Sequence, residues 1–253
     1  MAGRGRKTAV VLTVLVVLLG GLLVVADRVA ASAAESVISG QVAKEMAARN
    51  VASAGPPEVS VRGFPFLTQV LRGRYDGITI AVPQPRVGGV QLQRLTLDAT
   101  DVTAPLEVIT SHQGRVIADK ITGTAELSWQ SVSTLLDMAG ATGVDPSSVQ
   151  LSYVNGEVQL TAPATLAGRQ LTLVATGTVA FSSGKIRLQL TRIVVKGDGI
   201  PASVSGLAQA YVQYLSGEIK LPVLPYQPEI SDVRTTSAGI TVTALARQVV
   251  LAG

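Results

Sequence analysis

The chain has 253 residues, no cysteine, one histidine, 47% hydrophobic but only 4% aromatic residues, and a formal net charge of +4. The missing cysteines exclude a disulfide framework and thiolate chemistry, and one histidine leaves a zinc or copper site to rest on carboxylates. Arg4, Arg6 and Lys7 carry most of the excess charge, so the remainder is only about +1 and lacks the clustered footprint of a nucleic-acid protein.

Behind those basic residues runs Ala9 to Ala26, apolar except for Thr13 and Gly20-Gly21. As a helix it would span roughly 27 Å, close to the ~30 Å hydrocarbon core of a bilayer. Basic residues ahead of an apolar run hold that end in the cytoplasm, so the chain beyond Asp27 is expected outside the cytoplasmic membrane. The run reads either as a retained single-pass anchor or as a signal peptide with a small-x-small cleavage site at Ala31-Ser32-Ala33. Residues 1–26 are thus set apart as signal anchor or signal peptide. Residues 27–253 are expected to form one exported domain, large enough to fold without disulfides.

Asp27 to Asn50 continues with helical spacing, Val29, Ala33, Val37, Val42 and Met46 recurring near every fourth position, until Gly55-Pro56-Pro57. Glu58–Arg62 reads as a short strand. Gly63-Phe64-Pro65-Phe66-Leu67-Thr68-Gln69 is a compact apolar segment shaped by Gly63 and Pro65. Tyr75–Val82 and Leu92–Val102 read as strands, the second with Leu95, Leu97 and Ala99 on one face. Pro105–Gln113 reads as strand extension and loop, and Arg115–Trp129 as a strand bent at Gly123. Ser131–Ala139 is a short amphipathic helix.

Asn155-Gly156 joins a hairpin, Val149–Val154 with Glu157–Ala162. Leu171 to Phe181 alternates without a slip and turns at Ser182-Ser183-Gly184 into Ile186, Leu188 and Leu190, two long antiparallel strands. Val204–Leu215 has helical spacing, Ile219–Val223 reads as a strand, and Ile230–Thr235 with Ile240–Ala246 close the chain as a hairpin. Long strands with few helices make an α+β domain built on antiparallel sheet.

No catalytic constellation emerges. His112 lies alone in a polar loop, and there is no nucleophile elbow, phosphate loop or dinucleotide fingerprint. Asp98 and Asp101, three apart in a strand, point to opposite faces and do not suit a glycosidase pair. The expectation is a protein that is not an enzyme and needs no cofactor or metal. More suggestive are Lys44, Arg62, Arg72, Arg74 and Arg86, which flank the Gly63–Leu71 segment and are candidates to hold an anionic lipid headgroup. Phe64, Phe66 and Leu67 are candidates for a lip in contact with membrane, or else for a core plug.

The strings Val61-Arg62-Gly63-Phe64-Pro65-Phe66-Leu67-Thr68-Gln69 and Gly73-Arg74-Tyr75-Asp76-Gly77-Ile78 resemble the signature of the LmeA-like phospholipid-binding family of the actinobacterial cell envelope. The resemblance implies a periplasmic or membrane-anchored protein that binds phosphatidylinositol or related anionic phospholipids and supports lipomannan-type glycolipid assembly, possible partners being membrane glycosyltransferases. It also implies a fold similar to tubular lipid-binding domains, a curled antiparallel sheet wrapped around a long helix and leaving an apolar tunnel. The alternative is a non-catalytic envelope scaffold or interaction module without a lipid cavity.

Overall fold

A computed structural model describes residues 3–111, 114–138, 150–166, 169–182, 185–196, 218–219 and 228–252. The expected helix at 204–215, His112 and most of the expected strand 219–223 lie outside the described residues.

Helix α1 (Gly3–Ala48) runs without a break from the basic N-terminus through the apolar run into the domain. It is about 69 Å long at 1.5 Å per residue, and it is long and apolar enough to cross a membrane. Side chains from Leu12 to Ala26 are exposed. From Asp27 onward the character changes, and Asp27, Ala30, Ala31, Ala34, Glu35, Ile38, Ser39, Val42, Ala43 and Met46 are at least partly buried. Their alternating steps of three and one trace a single stripe along the helix. Of the residues recurring at helical spacing, Val42 and Met46 lie on this packed face. Val29, Ala33 and Val37 are exposed instead, because small and polar residues rather than the valines make this contact.

The polar members of the stripe bond to backbone. Asp27 Oδ1 accepts the Leu67 N–H at 2.8 Å, Glu35 Oε1 accepts the Val61 N–H at 2.8 Å, and Ser39 Oγ donates to the Pro57 carbonyl at 2.5 Å. Such groups would be costly to bury unpaired, and pairing them fixes the height of α1 against its neighbours.

Those neighbours are strand β1 (Glu58–Arg62) and helix α2 (Phe66–Arg72), after which β2 (Arg74–Pro83), β3 (Arg86–Val87), β4 (Val90–Gln91) and β5 (Arg94–Thr103) follow. Helix α2 was not expected as such, since seven residues behind a proline carry little periodicity. Likewise Leu106–Ser111 is a short helix, α3, where strand and loop were expected. Strand β6 (Val116–Ser128) leads directly into α4 (Trp129–Met138), whose Ser131 N–H is capped by Ser128 Oγ at 3.1 Å. Strands β7 (Gln150–Val154), β8 (Glu157–Leu166), β9 (Arg169–Ser182) and β10 (Lys185–Lys196) form a meander, followed by β11 (Glu218–Ile219), β12 (Glu229–Thr236) and β13 (Gly239–Ala252). The Asn155-Gly156 turn has both residues at positive φ, 53° and 87°, as a two-residue hairpin of this kind requires.

These strands make two larger antiparallel sheets, ordered β1-β2-β5-β6-β13-β12 and β11-β10-β9-β8-β7, plus the β3–β4 ribbon. The α+β expectation is met, but the curled sheet wrapped around a long helix is not. Both sheets are open, and α1 lies outside them, against the edge strand β1 and α2. The physical reason is that the sheets fill their own interior. Leu127, Ile240, Val158, Leu160, Ala175, Leu190 and Ile193 pack face to face, closed by Trp129 and Val132 of α4. Trp129 stacks on Tyr153 and donates to the Ser237 carbonyl at 3.2 Å, tying α4 to both sheets. A second, smaller cluster forms under α1 from Ala31, Val61, Phe66, Tyr75, Val102, Ala104 and Ala118.

Candidate functional site

The Gly63–Gln69 segment sits where α1, α2 and the β1–β2 hairpin meet. Gly63 adopts φ +91°, and a Cβ there would stand 2.6 Å from Gln69 Nε2 and collide with Asp76. Only glycine suits that position. The Phe64–Pro65 peptide is cis, and Pro65 occupies the N-cap position of α2 without a side-chain acceptor to offer. Asp27 of α1 supplies that acceptor to the Leu67 N–H instead. Burial opposes ionisation of Asp27, but the Leu67 and Phe66 amides and the Arg28 guanidinium outweigh it and hold the carboxyl below the usual carboxylate range. Buried Gln69 completes the junction, its Nε2 donating to the Arg62 carbonyl at 3.1 Å and its Oε1 accepting the Asp76 N–H at 2.9 Å.

The candidate lip residues separate. Phe66 is 6% exposed and packs against buried Tyr75 with ring centroids 6.2 Å apart. Phe64 is 60% exposed, with the Arg28 guanidinium 5.1 Å from its ring centroid, and Leu67 is 39% exposed. Beside them stands Leu71, 81% exposed and four residues beyond Leu67 on the same side of α2. Leu71 and Arg28 were not singled out from sequence. The signal available was the i, i+4 spacing of two leucines and a cation directly after the apolar run.

The candidate headgroup residues do not form one cluster. Arg72 and Arg74 are exposed at the C-terminal end of α2 and form no ion pair among the described residues. Arg62 lies across Gly77 and pairs with Asp98 at 2.5 Å. Arg86 bonds Gln91 Oε1 at 3.2 Å, and its backbone pairs with Ala52, just past the far end of α1. Lys44 is also toward that end, about 26 Å along the helix from Asp27 at 1.5 Å per residue.

An aliphatic surface runs across the first sheet. Ile80, Leu97, Gly123 and Ala244 are register partners on β2, β5, β6 and β13 and therefore share one face. Leu97 is 36% exposed and the other three are partly exposed. On one side, the row containing Ala125 and Val242 packs into the main core; on the other, Ile78, Ala99 and Ile121 pack into the cluster under α1. The row between belongs to neither cluster.

The family model of LmeA-like phospholipid-binding proteins matches residues 25–244. The chain belongs to this family. As an LmeA-like protein it is associated with phospholipid binding, and among the described residues no group of three or more His, Asp or Glu is placed to hold a metal. Comparison with curated proteins and with solved structures gave no match. The match begins at residue 25, so it includes the last two residues of the apolar run and the whole packed stripe of α1.

Proposed function

We propose that this LmeA-like protein binds an anionic phospholipid, phosphatidylinositol being the type ligand, at the outer face of the cytoplasmic membrane. The acyl chains lie along the row Ile80–Leu97–Gly123–Ala244, an open trough between the two packed clusters rather than a closed tunnel. The observation that carries this reading is that row, an aliphatic strip left partly exposed across four strands in a phospholipid-binding family. Each methylene taken from water onto it contributes ~0.8 kcal/mol.

Arg72 and Arg74 are the headgroup candidates best supported, being exposed and without acidic partners among the described residues. Arg74 lies six residues along β2 from Ile80, about 20 Å at ~3.3 Å per residue. Lys44 and Arg86 are too far from that end to share one headgroup with them. A lipid held this way, close to the membrane it came from, is suited to presentation to a membrane glycosyltransferase in envelope glycolipid assembly.

Native mass spectrometry of the detergent-extracted full chain tests the reading. Co-bound phospholipid is expected, and Leu97→Asp should lose it while keeping its circular dichroism. Lipid-free protein that also ignores vesicles containing phosphatidylinositol would overturn it.

A further inference from the structure

From the junction of α1 and α2 we infer that α1 is retained uncleaved and that the exposed side of α2 seats in the headgroup layer of the leaflet from which α1 emerges. The apolar run ends at Ala26, and the next residue, Asp27, is 2% exposed and bonded to the first turn of α2. No linker separates the span from the domain, so α2 is held at the level where the helix leaves the bilayer. There Phe64, Leu67 and Leu71 are exposed, with Leu67 beside Asp27, where the exposed side chains of the run end.

Charge suits the same surface. Arg28 lies over the Phe64 ring and pairs with Asp27 at 2.7 Å, while Arg72 and Arg74 are exposed at the other end of α2. Apolar side chains bordered by cations match an interface of acyl chains and anionic headgroups. The occupant is therefore the bilayer itself, reached from the span that already crosses it.

Retention of α1 follows from the packing. A cut after Ala33 would remove Asp27, Ala30 and Ala31, leaving the Leu67 N–H without its acceptor and stripping the smaller cluster of the first part of its helix-side wall, of which only Ala34 and Ile38 would remain. The family match starting at residue 25 counts those residues as part of the domain. The inference depends on α1 crossing the membrane but not on the acyl-chain trough, so a chain found without co-bound lipid would leave it standing.

The chain has no cysteine, so single labels are easily placed. Leu71→Cys and Ala47→Cys, both at exposed positions, are labelled with an environment-sensitive dye in the full chain. Each is reconstituted into vesicles of phosphatidylcholine with phosphatidylglycerol. The label at 71 should shift to the blue and be quenched by headgroup spin-labelled lipid. The label at 47, about 30 Å farther along the helix than Asp27, should report water. Equal, aqueous signals from both positions would overturn the seating of α2. Intact mass of the membrane-extracted protein should retain residues 1–33, and a product beginning after Ala33 would overturn retention.

Discussion

The Asp27 carboxylate accepts the Leu67 backbone N–H at 2.8 Å, so the long first helix caps the short second one across forty residues of chain. Pro65 leaves the N-terminus of α2 without a cap of its own. Asp27→Ala should therefore lower stability by about 1–2 kcal/mol, the usual cost of a lost cap. Asp27→Asn, which keeps an acceptor, should cost less. Urea unfolding of the full chain in detergent micelles, read at Trp129, measures both.

Acid should expose the same contact. The Asp27 carboxyl is held below its unfolded value, so its contribution is complete above the unfolded carboxylate pKa of roughly 3.9 and fades as pH falls through the lower folded one. Thermal unfolding from pH 5 downward should show a steeper loss for the native chain than for Asp27→Asn. Parallel curves would place the acid sensitivity elsewhere.

Phe64 and Phe66 should behave oppositely. Phe66→Ala empties a buried site against Tyr75 and should cost about 3–5 kcal/mol. Phe64→Ala removes an exposed ring whose described partner is Arg28, and should cost about 1 kcal/mol or less. Its larger effect should appear in vesicle binding of the full chain.

Gly63→Ala should be among the most damaging single substitutions in the motif. It places a Cβ against Asp76 and Gln69 at a backbone angle that side chains rarely adopt. Gln69→Leu tests the same junction more gently, leaving the Asp76 N–H and Arg62 carbonyl without their partner at about 1–3 kcal/mol each. Differential scanning calorimetry should rank Gly63→Ala and Gln69→Leu well below Phe64→Ala.

Much of the strand order was legible because alternation is a local signal. Leu171 to Phe181, the Asn155-Gly156 hairpin and the final hairpin all lie where the pattern put them. The sheets' openness was not legible, since closure depends on which strand meets which edge. Nor was the packed face of α1, where Ala30, Ala34 and Glu35 displaced the more apolar Val29 and Val37. A narrow helix contact selects for small size and for hydrogen bonds to exposed strand ends, and hydrophobicity alone does not reveal either. At the candidate site the sequence marked Phe64 and Leu67 but not Leu71 or Arg28, whose proximity depends on a helix too short to recognise.

Glu35 carries one more implication. By accepting the Val61 N–H at 2.8 Å it occupies a rim group of β1, the outermost strand on that side of the sheet. An uncovered rim invites a strand from another molecule to join it. Proteins tethered in one plane meet at high local density and in similar orientations, where such zipping would be easiest. With α1 retained in the membrane, as inferred above, the same helix would cover part of that flank through Glu35 and hinder neighbours from joining sheet to sheet.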